Sequence, residues 1–237
     1  MTTFLYQTDS YLRAFESEVL ATHPDLGGLL LNQTAFYPGG GGQPHDLGVL
    51  RHEGGELKLK GFRREAGKLW HLVEGPLPPT GTRLYCELDW ERRYQLMRTH
   101  TAMHILCGVI WRDYQALVTG GDMQPLAGRM DFEFEHMSRE LVSEIETNIN
   151  IEVQAARPIR VAFLSREEAD RTPDLIRTKI NLLPKHLTEI RTVEIVGLDL
   201  QADGGTHVAN TREVGRIRIV DYKSKGRLNK RVKMALE

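Results

Sequence analysis

Several things are scarce in this sequence, and each scarcity removes a class of protein. Only two cysteines occur, Cys86 and Cys107, and they form no Cys-X-X-Cys pair. A disulfide scaffold and a purely cysteine-based zinc site are therefore excluded, and both residues are expected to be reduced thiols. No stretch approaches the roughly 20 apolar residues that a membrane helix needs. The opening Met1-Thr2-Thr3-Phe4-Leu5-Tyr6-Gln7-Thr8-Asp9 has neither a basic start nor an apolar run, so no secretion signal is expected and a cytoplasmic location is. Net charge is scarce too: 31 Lys+Arg against 32 Asp+Glu give −1, which excludes a surface coated in basic charge for nonspecific nucleic-acid binding. A local basic face stays open. What is present is an ordinary core-forming composition, 41% hydrophobic and 27% charged, in 237 residues that suit one large domain or two modest ones.

Up to about Trp90 the chain consists of short, often alternating apolar runs split by Gly, Pro and Asp. Gly28-Leu29-Leu30-Leu31, Thr34-Ala35-Phe36-Tyr37, Leu57-Lys58-Leu59-Lys60 and Arg83-Leu84-Tyr85-Cys86-Glu87-Leu88 are examples. Short strands with turn residues at this spacing predict a small barrel or sandwich. The character changes at Asp89, a helix N-cap type. The following run to Tyr114 has no Gly or Pro except Gly108, and Leu96, His100, Met103, His104, Cys107 and Trp111 recur on one helical face. A strand at Arg129–Phe134, a helix opened by Ser138, and a strand at Ile159–Leu164 come next. The last of these runs into the capping box Ser165-Arg166-Glu167-Glu168. Strands are expected at Ile190–Val196, Val214–Tyr222 and Arg231–Leu236, and one at Val193–Leu200 leads directly into the motif described below. The expected organisation is α+β overall: an all-β first domain over 1–89 and an α+β second domain over 90–237.

Two segments carry chemistry. His100-Thr101-Ala102-Met103-His104 sets two imidazoles one turn apart on the same side of a helix, a spacing that lets both bind one tetrahedral metal. The glutamate of a zinc-protease HExxH is absent, Thr101 standing in its place, so the pair is metal-competent without being a protease signature. Alone, it reads equally as two partly buried histidines on an amphipathic helix. The second segment is Gln201-Ala202-Asp203-Gly204-Gly205-Thr206-His207-Val208. Two glycines allow a sharp turn, and Asp203 and His207 flank it so that both can point at one centre. Gly-Gly by itself marks turns everywhere.

Together the segments resemble the zinc-binding pair of the alanyl-tRNA synthetase editing domain and its free-standing relatives, the AlaX proteins. That family carries HxxxH on a helix and CGGTH, or a near variant, further on. Asn32-Gln33-Thr34-Ala35-Phe36-Tyr37-Pro38, followed by Gly39 to Gly42 and Gln43-Pro44-His45-Asp46-Leu47-Gly48, resembles the family's glycine-rich segment. The resemblance covers nearly the whole chain. It implies a translation-factor-like β-barrel followed by the α+β editing core shared with threonyl-tRNA synthetase. It also implies one Zn2+ ion and hydrolysis in trans of alanine tRNA mischarged with serine or glycine.

The family commonly has a cysteine where this chain has Asp203. A carboxylate is an acceptable zinc ligand that donates less charge than thiolate. The implied ligand set is His100, His104, Asp203 and His207. Two alternatives accompany it: Asp203 orients a water or a histidine from outside, and Cys107, one turn beyond His104, supplies the fourth donor instead of filling the core. The metal's role is open between activating water, polarising the ester and positioning the substrate. Thr34 and Gln43 are the expected pocket residues. Serine and alanine differ by one hydroxyl, and a site built to hydrogen-bond it discriminates strongly. A C-terminal basic stretch, including Arg212, Arg216, Lys223, Lys225, Arg227, Lys230 and Arg231, is the expected phosphate grip. Two further functions compete with editing: a tRNA-binding accessory protein without catalysis, suggested by Asp203, and a zinc hydrolase of small esters or amides.

Overall fold

A computed structural model describes residues 2–178 and 187–237. The chain divides into two compact units, one of Met1–Gly40 with Pro44–Tyr94, the other of Gly41–Gln43 with Gln95–Glu237.

The first unit contains β1 (Thr3–Phe4), β2 (Ala14–His23), β3 (Gly28–Leu31), β4 (Gln33–Thr34), β5 (Gly48–His52), β6 (Gly55–Glu65), β7 (Lys68–Glu74) and β8 (Arg83–Leu88). Six of them close a barrel in the order β2-β3-β7-β6-β5-β8, every pair antiparallel. The period-2 patterns seen in the sequence fill it: Leu57 and Leu59 from β6, and Leu84, Cys86 and Leu88 from β8, join Val19, Leu29, Leu31, Phe36 and Leu50. Burial raises the Cys86 thiol to about 12, and both cysteines are free. An ion pair with no exposed surface braces the loop after β4. Arg93 donates from Nε to both Asp46 oxygens at 2.9 and 3.1 Å and from Nη2 to the Ala35 carbonyl at 2.6 Å, while Asp46 Oδ2 accepts the Tyr37 amide at 2.6 Å. With all three guanidinium nitrogens hydrogen-bonded, Nη1 to the Ser10 carbonyl at 3.0 Å, this pair meets the condition under which burying charge is tolerated; removing one partner would cost about 3–5 kcal/mol.

Helix α1 (Trp90–Tyr114) follows, and the division between units falls inside it, after Tyr94. In the second unit come β9 (Val118–Gln124), β10 (Ala127–Glu133), α2 (Arg139–Gln154), β11 (Ile159–Ser165), α3 (Arg166–Arg171), β12 (Glu189–Ile195), β13 (Asp199–Ala202), β14 (Ile217–Ser224) and β15 (Asn229–Leu236). They form a four-stranded sheet, β14-β15-β10-β9, and a three-stranded sheet, β11-β12-β13, both antiparallel. Ser138 caps α2 by accepting the Leu141 amide, and Ser165 and Glu168 form the reciprocal box expected at α3. No described helix is long and apolar enough to cross a membrane.

Three local expectations change. The α1 sequence reads as one apolar face, yet every residue from Thr99 to Ile110 is buried, so the helix runs through the core. The strand expected over Val193–Leu200 is a hairpin: β12 stops at Ile195, Gly197 takes the left-handed φ of +77°, and the chain returns as β13. The strand expected from Val214 starts at Ile217, because Asn210 caps a 3-10 turn over Thr211–Val214.

Candidate metal centre

α1 carries His100 and His104, and the loop after β13 carries Asp203 and His207. Their donor atoms all lie within 4.8 Å of one another, and the three histidines are buried. The loop is anchored on both sides. Arg191 of β12 donates from Nη1 to the Asp203 carbonyl at 2.8 Å and accepts the Asp203 amide at 3.1 Å through its own carbonyl. Beyond His207, the Ala209 carbonyl accepts the Ile159 amide at 2.9 Å, and Thr211 Oγ1 donates to the Glu152 carbonyl at 2.9 Å.

Two glycines let these parts come together. A Cβ on Gly205 would stand 2.4 Å from His100 Cε1 and 2.7 Å from Gln43 Oε1, so the second glycine of the motif makes room for a ring. A Cβ on Gly108, one turn past His104, would stand 2.9 Å from Leu198 and 3.0 Å from Asp199, which shows how closely the β12–β13 turn approaches the helix.

Each imidazole is held by its Nδ1. His100 Nδ1 lies 3.0 Å from Gln43 Oε1. The same oxygen accepts the Thr206 amide at 3.0 Å while Gln43 Nε2 donates to Thr206 Oγ1 at 2.8 Å, which fixes the amide's orientation and puts the His100 proton on Nδ1. His104 Nδ1 donates to the buried Asp199 at 3.1 Å, and Gln201 Nε2 donates to the same oxygen at 2.6 Å. His207 Nδ1 meets Thr101 Oγ1 at 3.1 Å. The Nε2 atoms are left for the centre. His207 Nε2 is 3.0 Å from Asp203 Oδ2 and His100 Nε2 is 3.5 Å from Oδ1. Donors of a tetrahedral zinc site lie about 3.3 Å apart, so these separations and the N3O donor set fit such an ion.

The electrostatics agree. Burial holds His100 well below its ordinary value and His207 down at about 4, so both are neutral with lone pairs available. Burial also acts against charge on His104, but the hydrogen bond and charge of Asp199 outweigh it and raise this group; a cation and a proton would compete for its Nε2. At Asp203 burial is likewise overcome, here by the three histidines, and the carboxyl sits well below its usual range.

Among the described residues this is the group able to hold a metal, and Cys107 is outside it. The Cys107 side chain is buried in the core and its thiol is pushed up by that burial. Thr34 is fully buried in the barrel unit, its Oγ1 accepting the Phe36 amide at 3.2 Å and lying 2.9 Å from His71 Nε2. Of the basic residues, Arg212, Arg216, Lys223, Lys225 and Arg227 are exposed. Lys230 is buried, its ammonium donating to the Gly226 and Arg227 carbonyls at 2.9 and 2.7 Å; Arg231 holds Asp131 with two bonds of 2.7 Å. Sequence reasoning missed Thr101, Asp199 and Gln201. Thr101 was visible inside the HxxxH spacing; Asp199 and Gln201 were hidden by the unread turn at Gly197.

A closed barrel joined to an α+β unit with a His3Asp centre defines the class, and sequence comparison agrees. A family model of the threonyl and alanyl tRNA synthetase second additional domain matches residues 190–233, and one of class II (A) tRNA synthetases matches residues 8–92. The alanyl-tRNA editing protein AlaX-M of Saccharolobus solfataricus is 37% identical over 98% of this chain and 98% of its own length. That of Methanosarcina barkeri is 34% identical over 100% and 99%. The chain belongs to the alanyl-tRNA editing protein AlaX-M family. The alanine–tRNA ligase of Pyrobaculum aerophilum is 39% identical over 91% of this chain, which spans 25% of that enzyme.

Proposed function

We propose that this protein is a trans-acting aminoacyl-tRNA deacylase that hydrolyses serine, and also glycine, from mischarged alanine tRNA, with one Zn2+ ion held by His100, His104, Asp203 and His207. The observation that carries the reading is the convergence of three ring nitrogens and one carboxylate in a chain similar over its whole length to alanyl-tRNA editing proteins. When bound, zinc supplies the Lewis acidity that ester hydrolysis uses.

The chain's own residues do the rest. Gln43, Asp199 and Thr101 fix the three rings, so no reorganisation is needed when substrate arrives. Thr34 meets the seryl hydroxyl, the one group that separates serine from alanine. No Ser-His-Asp or Cys-His arrangement was found in the sequence, so water attacks the ester directly. Arg212, Arg216, Lys223, Lys225 and Arg227 face solvent and supply the salt-sensitive contact to tRNA phosphates.

The test is metal analysis of the purified protein combined with incubation against Ser-, Gly- and Ala-charged tRNA(Ala). The expected outcome is bound zinc, loss of the serine and glycine esters, and an intact alanine ester. Zinc-loaded protein that binds tRNA(Ala) and leaves its serine ester intact would establish the accessory reading instead. Cleavage of small esters alone would establish a small-ester hydrolase.

A further inference from the structure

We infer that Arg177 is a positioning residue for the metal centre: its guanidinium pins the Asp199 carboxylate, and that carboxylate in turn aims the Nε2 of His104. This rests on the reading of His104 as a zinc ligand.

The segment that carries Arg177 is tied on two sides. The Leu175 carbonyl accepts the Ala202 amide of β13 at 3.0 Å, one residue before Asp203, and the Arg177 carbonyl accepts the Val118 amide of β9 at 3.0 Å. β13 and β9 are edge strands of the two sheets of the second unit, so the segment is held by both. Between these ties the Arg177 side chain is buried. Its Cζ stands 4.7 Å above the Trp111 ring of α1, and its Nε is 3.5 Å from Asp199 Oδ1.

Asp199 divides its two oxygens. Oδ2 takes His104 Nδ1 at 3.1 Å and Gln201 Nε2 at 2.6 Å. Oδ1 is buried and accepts no hydrogen bond among the described residues, and Arg177 Nε and Nη1 donate none. Nη1 lies 3.6 Å from the Asp174 carboxylate, on the exposed side. Arg177 and Asp199 therefore attract as charges across a short gap, in a buried setting that screens them weakly. The last torsion of an aspartate is soft, so a carboxylate held by one oxygen alone can pivot. With the guanidinium at Oδ1, a pivot would carry that oxygen away from its counter-charge. Oδ2 then stays on His104 Nδ1, and the ring keeps Nε2 toward the other three donors.

Packing alone does not call for arginine here. Methionine would fill the space over Trp111 without burying two nitrogens that make no hydrogen bond. What methionine cannot do is hold Oδ1.

The test uses the full-length protein with zinc alone as the probe, its affinity read by chelator competition. Arg177→Met should weaken zinc binding about tenfold, the low end of what a group behind a ligand contributes. Arg177→Lys should stay within about threefold of wild type, because the pair is one of charge and not a bidentate fork. In Asp199→Asn protein the same Arg177→Met change should cost less than about twofold, since the carboxylate it acts through is gone. A second readout separates aiming from folding: in the zinc-loaded protein, Arg177→Met should shift the ring-nitrogen resonances of His104 and leave those of His100 and His207 in place. If wild type and His104→Ala bind zinc equally well, the reading of His104 fails and this inference falls with it. If His104→Ala loses affinity while Arg177→Met keeps it, or loses as much with Asp199→Asn as without, only the role of Arg177 is overturned. Should Arg177→Met not fold, the Arg177 Nε–H resonance decides: it should move on Asp199→Asn substitution, and a resonance that stays in place overturns the pairing.

Discussion

Among the described residues, four buried histidines sit in two very different settings. His71, in the barrel, has both nitrogens engaged by protein groups, the Leu29 carbonyl and the Thr34 hydroxyl. His100, His104 and His207, in the second unit, each use Nδ1 on an outer partner and direct Nε2 toward a shared centre that also holds Asp203. Burial is nearly the same in both, from 0% to 7% exposed, so burial does not separate a ligand from a satisfied core histidine. The difference lies in where the second nitrogen points. One histidine spends both nitrogens on scaffold partners; the other three turn their second nitrogen to one place beside the Asp203 carboxylate, a grouping of donors suited to holding a cation.

The sharpest way to break this comparison is to remove one of the three. His104→Ala should cost roughly a quarter of the 10–16 kcal/mol typical of structural zinc, or about 2.5–4 kcal/mol. In a chelator competition this reads as a several-hundredfold loss of zinc affinity, and an unchanged affinity would remove His104 from the ligand set.

Acid titration probes the other setting. The folded barrel holds His71 at about 4, whereas the unfolded chain takes up the proton near 6.5. Its contribution to stability is therefore complete above pH 6.5 and is lost as pH falls toward 4, by about 3 kcal/mol. Denaturant unfolding of wild type and His71→Gln across that window should show a steeper decline for the wild type; parallel curves would mean that His71 titrates normally.

The smallest effect is expected from the partner that orients a ligand. Asp199→Asn removes the charge behind His104 Nδ1 while keeping the side-chain shape, and should weaken metal binding about 10- to 100-fold. The d–d spectrum of the cobalt-substituted protein should keep its tetrahedral intensity, because His104 itself remains. Loss of that intensity would mean that Asp199 holds more of the site than one ring.

Much of this is legible in the sequence. The barrel follows from period-2 runs that can bury only one side, and the ligand helix from a long stretch with two histidines four apart. Other parts are not. β9, Val-Thr-Gly-Gly-Asp-Met-Gln, has two glycines and weak strand preference; it is a strand because β10 pairs with it from Ala127 to Phe132. Asp199 looked like the interior of a strand, and only the return at Gly197 brings it to His104. Lys230 and Arg231 looked like free cations until the β14–β15 hairpin and Asp131 engaged them.

The sequence alone determined that His100 and His104 share a helical face, because the 3.6-residue period is a property of the local backbone. It also determined the Gly-Gly turn that could carry Asp203 and His207. What only the tertiary structure decided is which nitrogen of each ring faces the centre. That choice depends on Gln43, Asp199 and Thr101, and all three come from segments far from the ring they hold. A ring's orientation is set by the partner that takes its other nitrogen, and long-range contacts of that kind leave no local pattern to read.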